Sequence, residues 1–437
     1  MKIKRAITYI LVVIMLVNSM NVYAAETKEY INEESIIHNE EDWDNDQAFA
    51  AYVEKTFYGN NAISLYGVSA REQLGASEKL LYDFLKEKVE SVADGTCTST
   101  KFSAESDKLE EWKNAGAKLS WNAEELGVGT IWNSTHTGIS EEAKTAFNNK
   151  ALGQFGLSKV IDALLHDCPY DLYWFDKTKG VNSNYGITVS GEELSLNSYF
   201  ASFSVASAYK AAGANEYTTD IAKTSATVTA ANNAKAIVEK YAEASDLEKL
   251  KAYRDEICAL VSYNYDAISS SYTGGYGDPW QLVYVFDKDN NTNVVCEGYS
   301  KAFQYLCDMS TFTSDKICCY TVHGTMAGGT GAGKHMWNIV SMDDGKNYLV
   351  DITNSDAGSI GQNGELFLSG ATGSVGEGYV INVSGDNISF TYEDDCIEMW
   401  GTDGILLLAG AKYGVSEEGG KPEASEAPIA SEAPKSD

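Results

Sequence analysis

Proline is nearly missing from this chain. Of 437 residues five are proline, and three of these, Pro422, Pro428 and Pro434, sit in the final stretch. Disordered chains are rich in proline and poor in aromatics. This one has 27 tyrosines, 14 phenylalanines and 8 tryptophans, so a folded core is expected. Positive charge is also short: 33 Lys and Arg stand against 63 Asp and Glu, a formal net charge of −30. A surface of that sign argues against nucleic acid and anionic membrane surfaces as partners. Long apolar runs are missing beyond the first residues, so no membrane-spanning helix is expected later in the chain. Paired cysteine spacing is missing too. The eight cysteines are sparse in a long chain, which does not read as a disulfide framework. Most should be small buried hydrophobes. No metal or cofactor is expected, because Cys318, Cys319, His323 and His335 match no standard zinc spacing.

What is present begins with a leader. Lys2, Lys4 and Arg5 form a basic start, Ala6 to Val17 is an apolar run too short to span a bilayer, and Val22-Tyr23-Ala24 suits a cleavage site. Residues 1–24 therefore read as a signal peptide, and the mature protein as secreted, extracellular or cell-surface associated. Its removal strips three positive charges and takes the net charge from −30 to −33. Residues 25–45 read as a polar arm. Residues 416–437, with Pro422-Glu423-Ala424-Ser425-Glu426-Ala427-Pro428 echoed by Ala430-Ser431-Glu432-Ala433-Pro434, read as an extended low-complexity tail.

Two domains are expected between these ends. Residues 46–225 read as an α+β domain. Ser77 is a candidate helix cap before Leu81, Leu85, Val89 and Val92, and Leu157 to Leu165 mark a helix stopped near Pro169. Strand-like runs follow at Leu172–Phe175, Gly186–Val189 and Tyr199–Phe203. Residues 226–415 read as a second α+β domain, with a capping box at Ser245-Asp246-Leu247-Glu248.

The chemistry centres on Cys296, which opens Cys296-Glu297-Gly298-Tyr299-Ser300-Lys301-Ala302-Phe303, read as a helix start by its spacing of apolar residues. Only a thiolate attacks, and a helix N-terminus and a neighbouring imidazolium both favour it. Backbone amides at that helix start are free to serve an oxyanion hole. Downstream stand His335 and Asp351 on two apparent strands. Asp343-Asp344-Gly345 between them reads as a three-residue hairpin loop with Gly345 left-handed. Paired residue numbers then sum to 688, which puts Trp337 opposite Asp351 and His335 diagonal to it on the same face. A two-residue loop would send His335 and Asp351 to opposite faces. Each residue alone is more often structural: a lone Cys packs, and a strand His is a satisfied core or surface group. Order and context together favour a nucleophile, base and orienting acid.

Three blocks carry a resemblance. Val295-Cys296-Glu297-Gly298-Tyr299-Ser300-Lys301-Ala302-Phe303, His335-Met336-Trp337-Asn338 and Tyr348-Leu349-Val350-Asp351-Ile352-Thr353 resemble the signature blocks of the transglutaminase-like superfamily. The resemblance spans roughly Asp246 to Asp356. It implies a papain-like core, in which a cysteine helix packs on an antiparallel sheet, with catalytic roles for Cys296, His335 and Asp351. Asn354 departs from the Trp frequent in bacterial members and is expected to alter the cleft wall. Ser300 replaces a frequent Ala. Gln281 is a candidate for the oxyanion side chain, with an ordinary polar residue on a helix or loop as the alternative. Trp280 and Trp337 are candidates to line the cleft, with core packing the equal alternative.

The expected function is a cysteine enzyme that forms a thioester from a peptide or protein amide. Water resolves it in a peptidase or deamidase, an amine in a cross-linker, and the resemblance favours hydrolysis. Extracellular protein and cell-wall peptide are the candidate substrates. The alternative is a catalytically silent surface or binding protein on the same scaffold. Other motifs fail. Gly328-Gly329-Thr330-Gly331-Ala332-Gly333-Lys334 runs into His335, where a phosphate loop needs Ser or Thr. Asp287-Lys288-Asp289-Asn290-Asn291 lacks the glycine of a calcium loop and reads as a polar turn. His323 is a minor rival to His335.

Overall fold

The computed structural model describes residues 69–269, 282–328, 333–362, 364–401 and 404–415. The expected leader, arm and tail lie outside the described residues, as do Trp280 and Gln281 and the middle of the glycine-rich segment before His335. The fold is α+β with antiparallel sheets.

The first half opens with α1 (Ala76–Ala93), which buries Leu81, Leu85, Val89 and Val92 as their helical spacing requires. Ser77 is not its cap. Gly75 holds that position, and the Glu78 carboxylate accepts the Gly75 amide at 2.6 Å. Ser77 instead donates to Gln154 Oε1 at 3.2 Å. A four-stranded sheet follows, from β1 (Lys101–Ala104), β2 (Ser120–Asn122), β3 (Val181–Ser190) and β4 (Glu193–Phe203). The β3–β4 hairpin pairs along its length, and β1 and β2 share the other edge of β4. Helices α2 (Ser106–Asn114), α3 (Ala123–Leu126), α4 (Glu141–Phe147) and α5 (Leu157–Asp167) complete this half.

The strand expected at Leu172–Phe175 is absent. These residues form successive turns, with Tyr173 N–H bonding Tyr170 C=O and Phe175 N–H bonding Leu172 C=O, before one bridge between Phe175 and Val205. Leu172, Tyr173, Trp174 and Phe175 are all buried, which a coiled path allows and a strand with one exposed face does not.

The second half starts with α6 (Ile221–Lys240) and α7 (Asp246–Leu260). The expected capping box closes α7: Ser245 Oγ accepts Glu248 N–H at 3.4 Å, and Glu248 Oε2 accepts Ser245 N–H at 3.0 Å. Helix α8 (Cys296–Asp308) comes next. Strands β5 (Cys318–Ala327), β6 (Gly333–Ser341), β7 (Asn347–Val350), β8 (Phe367–Ser369), β9 (Gly373–Ser374), β10 (Gly378–Val383) and β11 (Asp386–Tyr392) form one antiparallel sheet, with α9 (Asp394–Trp400) after it. Its order is β8-β7-β6-β5-β11-β10-β9.

One apolar core runs through both halves, from Ala70 to Ala409. Across their seam Tyr170 stacks on Tyr305 with ring centres 5.3 Å apart, and His166 meets Trp400 edge-on at 5.5 Å. Among the described residues no helix is long and apolar enough to cross a membrane.

Candidate active site

Helix α8 begins at Cys296. Val295 is its extended N-cap, and the first intrahelical bond runs from Tyr299 N–H to Val295 C=O at 3.3 Å. The amides of Cys296, Glu297 and Gly298 precede that bond and have no intrahelical acceptor. The stripe Tyr299, Ala302, Phe303 and Leu306 is wholly buried. Burying Phe303 and Leu306 contributes roughly 1.5–3 kcal/mol each. Polar ties fix the helix against β6. Ser300 Oγ donates to Met336 C=O at 2.9 Å, and Asn338 Nδ2 donates to Ser300 C=O at 3.0 Å. Ser300 is thus a buried tie between helix and sheet.

The β6–β7 hairpin has the register that the sequence predicts. Asn338 pairs with Val350, Ile339 with Leu349, Val340 with Tyr348 and Ser341 with Asn347. Gly345 is left-handed at φ 76, and its amide bonds Met342 C=O. The ladder stops one pair short of Trp337 and Asp351. Asp351 N–H bonds Leu366 C=O instead, and the chain enters a short 3₁₀ turn over Thr353–Ser355. His335 and Asp351 nonetheless meet, with Nε2 2.8 Å from Oδ2. The Cys296 thiol acts on the same imidazole and favours its charged form.

All three groups are nearly or wholly buried, Cys296 at 5 %, His335 at 4 % and Asp351 at 0 % exposure. Burial acts most strongly on His335 and disfavours its protonation. The charge and hydrogen bond of Asp351, with those of Cys296, outweigh it and push the imidazole up to about 10. The site therefore favours imidazolium at neutral pH, beside a group that can become anionic. Such an arrangement can deliver a thiolate to an electrophile and hand a proton to a leaving group.

Asn354 belongs to this centre rather than to a cleft wall. It is buried, its backbone N–H bonds Asp351 Oδ1 at 3.0 Å, and its Nδ2 bonds Oδ2 at 2.7 Å. The same nitrogen lies 3.5 Å from His335 Nε2. The only signal in the sequence was that Asn354 departs from the blocks the neighbouring residues resemble, and its role as a carboxylate holder is visible only here. Trp337 does not line open space. It is fully buried and stacks behind His335 at 6.0 Å with the rings 17° apart. A ring that supports the imidazole from behind has no face left for substrate.

His323 stands apart. It pairs with Met336 while His335 pairs with Gly324, so the two imidazoles leave opposite faces of the β5–β6 ladder. Its Nδ1 is 3.4 Å from Cys396 Sγ on α9. The Asp287–Thr292 segment is a closed polar turn: Asp287 accepts from Asp289 N–H at 2.8 Å and from Thr292 Oγ1 at 2.7 Å. All eight cysteines are free thiols, five of them buried. Among the described residues no cluster of His, Cys, Asp and Glu suits a metal ion. A cavity of about 240 Å³ opens by Gln304 and Asp308 at the far end of α8 and includes no member of the Cys296 centre.

Comparison with models of known protein families finds no match for this chain. Comparison with curated proteins finds no relative either.

Proposed function

We propose that this chain is a secreted cysteine acyl-transfer enzyme with a transglutaminase-like, papain-like core. The observation that carries this reading is the 2.8 Å contact between His335 and Asp351 beside a thiol that begins a buried helix. A cysteine helix tied to an antiparallel sheet that carries the base supports the papain-like core. The leader ending at Ala24 supports export.

Cys296 attacks an amide carbonyl as thiolate. The amides at the start of α8 stabilise the oxyanion that forms. The His335 imidazolium donates its proton to the departing amine as the C–N bond breaks, which leaves a thioester on Cys296. Water or a second amine, deprotonated by neutral His335, then attacks the thioester and restores the thiol. Asp351 holds the ring and stabilises its charged form. Peptide or protein amides, cell-wall peptides among them, are the substrate class, with hydrolysis favoured over cross-linking.

The test is thiol labelling joined to turnover. Cys296 should alkylate faster than an exposed model thiol. Casein-like proteins and wall peptides, with and without an amine donor, should be turned over by the native chain and not by Cys296→Ala. Ordinary labelling together with no turnover by the native chain would hand the assignment to a catalytically silent binding protein, and turnover that Cys296→Ala leaves unchanged would take the chemistry away from Cys296.

A further inference from the structure

Helix α8 has an outer face that is polar in sequence and buried in the structure. Glu297, Lys301 and Gln304 recur along it, at 3 %, 7 % and 7 % exposure. The first half of the chain covers them. Gln304 Nε2 donates to His166 C=O at 2.7 Å, and Glu297 receives an ion pair from Lys177. Lys177 side-chain exposure is 5 % and that of Glu297 is 4 %. Lys301, one turn along, closes on the same Glu297 oxygen at 2.7 Å. Two cations thus share one carboxylate in the first turn of the helix, next to the nucleophile.

Lys177 is presented by a hydrogen-bonded turn between Phe175 and β3. Asp176 Oδ1 accepts from Thr178 N–H at 3.1 Å and from Thr178 Oγ1 at 2.6 Å. Lys179 pairs with Asp176 Oδ2 at 3.1 Å, and Asp176 N–H bonds Ser204 C=O at 2.8 Å. The backbone that carries Lys177 is therefore held by bonds of its own, apart from the ion pair. Buried ions need close, well-placed partners, and losing one of them leaves an uncompensated charge.

We infer that Lys177 is a positioning residue for Cys296: it clamps Glu297, fixes the first turn of α8, and so makes the first half of the chain part of the active site. The inference rests on Cys296 being the nucleophile. The sheet supplies the base and the first half sets where the thiol stands relative to it. A first turn that rotates or slides takes Cys296 away from His335 while the rest of the helix stays tied by Ser300 and Asn338.

The experiment is alkylation of the full chain by iodoacetamide, with rates at Cys296 and Cys97 resolved by peptide mass spectrometry. In the native chain Cys296 should react faster than Cys97. If it does not, the nucleophile reading itself fails. In Lys177→Met the Cys296 rate should fall by about tenfold or more, the scale set by the few per cent of thiolate in an unassisted thiol, with Cys97 unchanged. Lys177→Arg should restore most of the rate, which a general loss of packing would not allow. Should Lys177→Met fail to fold, Lys177→Gln, which keeps a polar head and leaves the Glu297–Lys301 pair in place, is read in its stead. A folded variant without Lys177 that keeps the native Cys296 rate overturns the clamp and leaves the nucleophile reading standing.

Discussion

His335 carries the most consequential charge at the scale of single residues. Its folded value is pushed up to about 10 from an ordinary 6.5, chiefly against burial and by Asp351. A raised value means the folded state binds the proton more tightly. The resulting stability is present in full below about pH 6.5 and is lost as pH rises through about 10. Loss of the imidazolium also ends its service as acid, so activity should decline on an alkaline limb near the same pH. Asp351→Asn removes the largest raising influence and should move that limb down by about one unit or more. A pH–rate profile on the two proteins checks this, and a limb that stays put would mean that Asp351 does not govern the imidazole. Asn354 acts at the same scale. Its two bonds to Asp351 fix the carboxylate whose charge holds His335.

At the scale of elements, the β6–β7 hairpin decides whether base and acid share a face. Its loop has one left-handed residue, Gly345 at φ 76, and that residue sets the register. Gly345→Ala should cost about 1–2 kcal/mol, the penalty for an L-residue in that conformation. Urea unfolding would show it as a lower midpoint with an unchanged slope. An unchanged midpoint would mean that the turn readily adopts another form. The loop and register were legible in sequence because Asp343-Asp344-Gly345 admits few geometries and strand alternation does the rest. The turns at Leu172–Phe175 were not legible. Four apolar residues in a row read equally well as a buried strand or a buried coil, and only the surroundings choose.

At the scale of the whole molecule, the two halves share a core. Tyr170 on Tyr305, His166 on Trp400 and Lys177 on Glu297 all cross between them. Halves joined in this way should unfold together. Cys168 in the first half and Cys319 in the second are both buried, at 2 % and 4 % exposure. Their exposure to a thiol reagent along a urea titration should follow one midpoint. Two separate midpoints would show that the seam adds little and that each half stands alone.

The sequence by itself determined the local terms: the start of α8 at Cys296, the capping box of α7, the three-residue loop at Gly345, and through it the shared face of His335 and Asp351. Each depends on a few neighbouring residues whose backbone choices are narrow. Tertiary structure alone decided what surrounds them. Nothing near Glu297 in sequence says that Lys177 meets it, nor does anything near Trp337 say that it backs His335 and leaves no face for a cleft. The outer face of α8, with Glu297, Lys301 and Gln304, has the spacing of a solvated surface. It is buried because a distant segment supplies the matching charge and hydrogen bonds, and pairing across such a separation leaves no periodic trace in the chain.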